Sequence, residues 1–301
     1  MSSSISASAR AAIKYFKSEL ELNTAFVTDR KYALDRVTNA ILDETLDSDA
    51  ARMVELLVKG SYSSIVASLL SHKKADIRAD ALLALANMLA SENKKLSAAT
   101  VDVCVKNLDT IVACCNDDAT REDAAFVLFN LACKAGDAIP HHDLAQRLAS
   151  QIKANSSVKA NKDLLYGIRY LNMASVIPTQ LLLDEIALHG PLYKDAVKAL
   201  GDQISGEFPP EQHNATYELL SKILVKDPYN AEFLWMFSNI VIEAGMADKF
   251  LSTPEFVTQL CAALQYNCYD GVVDSNGTRE LIWVLSNAVS RGNLAAVQDI
   301  V

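Results

Sequence analysis

The sequence predicts an all-α protein, a right-handed solenoid of about six to seven short helical repeats, and three observations carry that expectation. A polar marker recurs: Asn87, Asn130, Asn172, Asp202, Asn239 and Asn287 follow one another at intervals of 43, 42, 30, 37 and 48 residues, averaging 40. The segments that carry the markers read DALLALANML, DAAFVLFNLA, LYGIRYLNMA, DAVKALGDQI, EFLWMFSNIV and ELIWVLSNAV, with apolar residues at helical spacing such as Leu82, Leu85 and Leu89. Val, Thr and aromatic residues show no sustained alternation of the strand kind. A unit of this length cannot bury its apolar face alone, so repetition implies stacking on neighbours.

Taken in order, residues 1–60 supply capping helices ahead of the first repeat. The helix AATVDVCVKNLDTIVACC follows a cap at Ser97, and Asp117-Asp118 cap the helix that carries Asn130. His141-His142-Asp143 open a helix after Pro140, and Pro209-Pro210 open EQHNATYELLSKIL. Residues 292–301 begin a further repeat that is cut at Val301. Only 10 Gly and 7 Pro are spread along the chain and no linker interrupts the pattern, so residues 1–301 are expected to form a single body.

Charge and composition remove several function classes. A net charge of -9 repels phosphate backbones and attracts basic partners, so nucleic acid is not the expected ligand. The most apolar runs, LLYGIRYL and AAFVLFNLAC, are interrupted by Arg169 and Asn130 and are too short for a bilayer, so no membrane span is expected. The first residues lack the apolar stretch of a signal peptide, and Ser2 stands where myristoylation needs glycine, which points to the cytoplasm with access to the nucleus. The six cysteines have no C-x-x-C spacing and read as reduced core thiols; the sequons at Asn155, Asn214 and Asn276 read as chance matches. No P-loop, G-x-G-x-x-G, H-E-x-x-H, EF-hand or G-x-S-x-G string occurs, and the His141-His142-Asp143 corner lacks an evident third ligand. The expectation is therefore a binding protein without catalytic, metal or cofactor site.

Recurrence at one phase places the markers on one face of the stack, as a ladder. An Asn side chain offers both a donor and an acceptor, which suits the backbone of an extended peptide. One turn earlier stand Leu83, Phe126, Ile168, Lys198, Trp235 and Trp283, and the chain's only two tryptophans share this slot. Two readings stay open: a groove that takes a peptide, or packing residues with Asn bonded between helices. The coincidence of both tryptophans with the phase favours the groove at Trp235 and Trp283, whereas Leu83, Phe126 and Ile168 read as core.

The period sits at the low edge of the roughly 40 to 47 residues of armadillo and HEAT repeats. GTRELIWVLSNAVSRGNLAAVQDIV (Gly277 to Val301) resembles the importin-α (karyopherin-α) armadillo repeat, through Glu280, Trp283, Ser286, Asn287, Gly292, Gln298 and Val301. AVKALGDQISGE (Ala196 to Glu207) and WMFSN (Trp235 to Asn239) are similar to the same pattern. The resemblance implies an armadillo solenoid whose concave groove binds a nuclear localisation signal in extended form. Asn would clamp the backbone, indoles would flank Lys and Arg stems, and nearby acids would supply the field. It implies contacts at Trp235, Asn239, Trp283 and Asn287, with Glu280 beside them and Asn87, Asn130, Asn172 and Asp202 as the rest of the ladder. Two departures stand out: Lys198 puts a positive charge in a slot meant for cations, and the first sixty residues lack the basic segment through which the family binds importin-β. An armadillo scaffold for a non-basic partner, with no transport role, is the alternative.

Overall fold

A computed structural model describes residues 14–153, 156–206, 208–224, 230–243, 245–269 and 275–292. Among these the chain is helical, with no strand. In order the α-helices are α1 (Glu19–Thr28), α2 (Arg30–Leu42), α3 (Ser48–Lys59), α4 (Tyr62–Ser68), α5 (Ala75–Ala90), α6 (Lys94–Lys106), α7 (Leu108–Cys114), α8 (Arg121–Lys134), α9 (His141–Gln151), α10 (Val158–Tyr170), α11 (Thr179–Ala187), α12 (Tyr193–Ile204), α13 (Pro210–Leu224), α14 (Ala231–Val241), α15 (Met246–Leu251), α16 (Pro254–Tyr269) and α17 (Ser275–Arg291). They cluster into two compact units, residues 1–173 and 174–301.

Capping chemistry sets the boundaries. Ser18 Oγ accepts from Glu21 N–H while Glu21 Oε2 accepts from Lys17 N–H, so two donors at the start of α1 are satisfied reciprocally. The side chains of Asp29, Asp47, Asn93, Ser157 and Asn230 cap α2, α3, α6, α10 and α14 by accepting a first-turn backbone N–H. Two expected caps are corrected. Asn93, not Ser97, starts α6; Ser97 lies inside it, with its hydroxyl donating to Leu89 O at 2.7 Å. The long helix expected after Ser97 breaks at Asn107 into α6 and α7. Asp117 forms a turn by accepting from Ala119 N–H and pairs with Arg78 at 2.5 Å, so it does not cap α8, whose first residue follows Thr120.

In the first unit α2, α5, α8 and α10 pack against one another in succession, and the remaining helices cover them: α3 and α6 lie against α4, and α9 lies against α10. Leu82, Leu85 and Leu89 of α5 are wholly buried. Ahead of α1, Tyr15 and Phe16 are buried, the Phe16 ring meeting Tyr32 edge-on at 5.7 Å and Tyr15 donating its hydroxyl to Asp43. Arg121 is also buried, at 4% exposure. Its guanidinium donates to Cys115 O just after α7 and to Gln151 O at the end of α9, both at 2.6 Å, where the carbonyl ends of helices favour a cation.

In the second unit α12, α14 and α17 pack in succession, with α11 against α12, α13 against α14, and α15 and α16 against α17. Phe233, Phe237 and Phe250 fill this core, Phe237 lying 6.3 Å from Phe233 and 6.1 Å from Phe250. Cys104, Cys114 and Cys115 are buried and Cys104 and Cys115 are pushed up to about 12 and about 11 by burial, whereas Cys261 is exposed. Among the described residues no single helix is long and apolar enough to cross a membrane; the bent pair formed by α3 with residues 62–71 passes on length and composition together, at an angle of 76°.

Candidate functional site

Helices α5, α8 and α10 repeat one register. Each carries a carboxylate (Asp80, Asp123, Asp163), then three residues on a partly exposed apolar or aromatic side chain (Leu83, Phe126, Tyr166), then four further on Asn87, Asn130 or Tyr170. Spacings of three, four and seven share a helix face, so the three rows run side by side across packed helices. Rings extend the middle row: Phe126 lies 6.5 Å from Phe129, Phe129 lies 6.5 Å from Tyr166 of the next helix, and Lys162 Nζ stands 5.5 Å from the Tyr166 ring centre. Leu83 is 37% exposed and Phe126 is half-exposed, so both belong to the face and not to the core expected for them.

Partial burial raises all three carboxyl groups above the usual carboxylate range. Lys31 opposes that shift at Asp80, and Lys159 opposes it at Asp123 and Asp163; repulsion from Asp80 and Glu122 adds to it at Asp123. The row is an electronegative strip in which each group resists ionisation, and an approaching cation would relieve it.

The expected amide ladder is placed unevenly. Asn87 donates to Leu83 O of its own helix at 2.8 Å and remains half-exposed. Asn130 is 8% exposed and donates to Ala86 O of α5 at 3.1 Å, so its amide braces α8 on α5. Asn172 lies two residues beyond α10 in the left-handed conformation, φ 56°, where the chain turns back and Met173 N–H donates to Ile168 O at 3.2 Å. The helical position expected for Asn172 is therefore held by Tyr170, and the slot expected for Ile168, which is wholly buried, is held by Tyr166.

The second unit carries the same register on α12, α14 and α17: Asp195, Glu232 and Glu280; then Lys198, Trp235 and Trp283; then Asp202, Asn239 and Asn287. Lys198 Nζ lies 3.0 Å from Glu232 Oε1, so the cation in the slot is neutralised by the acid of the next helix. Trp235 is half-buried, the Cζ3 edge of its six-membered ring packed close to α12 at Gly201, where a methyl group would stand 2.2 Å from Cζ3. Asn239 beside it is half-buried, and its Nδ2 makes no hydrogen bond. Trp283 is 55% exposed and Asn287 half-exposed on α17, while Glu280 is 7% exposed and bound by the Arg279 guanidinium at 2.8 and 3.0 Å. The two indoles thus differ: one rests on a neighbouring helix and one stands open.

The recurring acid was missed as a row of its own in the sequence. Its signal was present: each marker segment has Asp or Glu seven residues before the marker once Tyr170 replaces Asn172. The exposed His141, His142 and Asp143 open α9 as expected, on the helix between α8 and α10.

No family model matches the sequence, and no curated protein does. Among solved structures, the chain is similar to an engineered protein from the Northeast Structural Genomics Consortium, with a TM-score of 0.63 and 17% identity over 93% of this chain and 71% of that one. Two further engineered proteins from the same consortium match at 18% and 16% identity, covering 90% and 91% of this chain and 96% and 99% of theirs, with TM-scores of 0.33 and 0.38. At such identity the first likeness is one of fold alone, an all-helical chain of many packed helices.

Proposed function

We propose that the chain is an armadillo-type α-solenoid, related in design to the importin-α receptors, and that its successive inner helices bind an extended, basic segment of another protein. The observation that carries this reading is the register of an acid followed three residues later by an apolar or aromatic side chain, at Asp80/Leu83, Asp123/Phe126, Asp163/Tyr166, Glu232/Trp235 and Glu280/Trp283. Such a pair suits a Lys or Arg side chain, because the stem packs on the ring or methyl groups while the charged head meets the carboxylate. The open Trp283 beside Asn287 supports a contact there. In this reading the protein is a receptor, not an enzyme, and it works in the cytoplasm and nucleus.

The test is fluorescence anisotropy with a labelled ten-residue Lys/Arg-rich peptide and the same peptide carrying Gln in place of each basic residue. Replacing Trp283 and Asn287 by Ala is expected to weaken the basic peptide about tenfold or more, as when an aromatic anchor is lost from an interface. Equal binding of both peptides, or no loss in the double variant, removes the proposal. The Lys198–Glu232 pair favours a second reading, a scaffold for a non-basic partner, because it removes one slot and one acid together. Recovery of importin-β with basic nuclear proteins supports transport; their absence beside one stable non-basic partner supports the scaffold.

A further inference from the structure

The outer side of α1 carries an apolar seam that belongs to none of the recurring rows. Leu22, Ala25 and Phe26 are buried where α1 packs on α2, and the Tyr62 ring of α4 stacks on Phe26 at 5.8 Å. Leu20 and Val27 lie on the opposite side, 77% and 79% exposed. With Thr24 between them they fall at spacings of four and three, the pattern of a helix that packs along another helix. The threonines favour a dry contact. Thr24 donates its hydroxyl to Leu20 O at 2.6 Å and Thr28 donates to Thr24 O at 2.8 Å, so both donors are spent on the helix itself.

The two ends of the seam carry opposite charge. Glu19 and Glu21 stand in the first turn of α1, and the exposed Arg30 follows its last residue and cap. Glu21 accepts the backbone N–H of Lys17, a neutral donor, and so keeps its charge. A parallel partner helix of the same sequence would set acid on acid. An antiparallel one sets Glu21 beside Arg30 at both ends and opposes the helix dipoles. The order Leu20, Thr24, Val27 also reads large, small, large in either direction, as a contact between identical patches about a two-fold axis requires. Leu42 and Leu46 extend the face: both are exposed, at the corner after α2 that Lys14 and Tyr15 tie to the stretch entering α1. About ten residues a side correspond to roughly 400 Å² per partner, half the standard interface, so such a pair is weak and depends on concentration.

We infer that α1 is a self-association surface: two copies of the chain pair through antiparallel α1 helices, Leu20 of each against Val27 of the other, about a two-fold axis at Thr24. The inference is independent of the groove reading, because none of these residues belongs to the acid and aromatic register.

Analytical ultracentrifugation of the full chain over about 10 to 500 μM reads the association directly. The mean mass is expected to climb from one chain towards two with a midpoint on the order of 100 μM, the scale of a small interface. Leu20→Lys/Val27→Lys changes two exposed positions, so it is expected to keep the parent's thermal unfolding midpoint and to stay single across the range. Orientation is read by oxidative cross-linking in a Cys261→Ser background, which removes an exposed thiol. An equal mixture of Leu20→Cys and Val27→Cys chains should form the mixed disulfide about fivefold faster than either chain links to itself, because only the mixed pair meets at bonding distance. A mass that stays at one chain to the top of the range overturns the inference. An equal rise in the double variant overturns it too, since the contact would then lie elsewhere. Faster linking of Leu20→Cys to itself than to Val27→Cys overturns the antiparallel pairing, and this pattern alone decides if the lysines disturb folding.

Discussion

Replacing Gly201 by Ala tests how the two tryptophan slots are built. The added methyl would stand 2.2, 2.8 and 3.1 Å from three atoms of the Trp235 ring, so either the indole swings outward or α12 and α14 part. The ring is the far end of a flexible side chain and is already half-exposed, whereas parting the helices would disturb the packing of Phe233 and Phe237, which are wholly buried. Lifting the indole off α12 exposes about 60 Å² of apolar surface, worth about 1.5 kcal/mol. Alanine in place of glycine inside a helix returns about 1 kcal/mol. The net loss of stability is expected to stay below about 1 kcal/mol, while Trp235 moves into water. Urea denaturation measures the first quantity. Emission in a Trp283→Phe background, which leaves Trp235 as the sole indole, measures the second and should shift to the red. Destabilisation beyond about 3 kcal/mol with unmoved emission would show an overpacked interior that yields at the backbone, and would refute the reasoning.

Arg121→Met is expected to destabilise the first unit by about 3 kcal/mol in urea unfolding, because it leaves the Cys115 and Gln151 carbonyls without their buried charged donor. Asp123 and Asp163 have raised carboxyl pKa values, so the native state takes up their protons before the unfolded state does. Their contribution therefore favours folding below the unfolded value of 3.8 and is lost as pH rises through the raised native values; Asp123→Asn/Asp163→Asn should unfold less readily than the parent at pH 7, with the difference shrinking as pH falls towards 4. Lys198→Gln frees Glu232, and anisotropy should show a basic peptide held about threefold more tightly.

The helical class, the spacing of the marker helices and the start of α13 at Pro210 were legible because they depend on local pattern: apolar period, proline at a first turn and polar caps. The register of α10 was not. Asn suits the left-handed residue that ends a helix, and Asn172 holds that position, so one residue type served two unrelated roles in successive marker segments. Anchoring on the acid instead of the amide places Asp163, Tyr166 and Tyr170 correctly. Ser97 misled for a related reason: a serine can cap a helix or, as here, sit inside one and hydrogen-bond to the preceding segment. Asn130 illustrates a third limit. A side chain at a recurring phase faces a recurring neighbour, and whether that neighbour is the previous helix or open water depends on packing that sequence spacing does not record. The pairing of Lys198 with Glu232 was likewise invisible, since it joins residues 34 positions apart on different helices.

The short stretch before α1 bears on how the protein can be handled. Tyr15 and Phe16 are sealed against α2 and α3, with Phe16 N–H directed at Met53 Sδ. Trimming back to the first regular turn would leave a slot shaped for two rings open to water, and the Tyr32 ring and Met53 beside it would be wetted. A fusion tag or shortened version should therefore keep these two side chains and attach ahead of Tyr15.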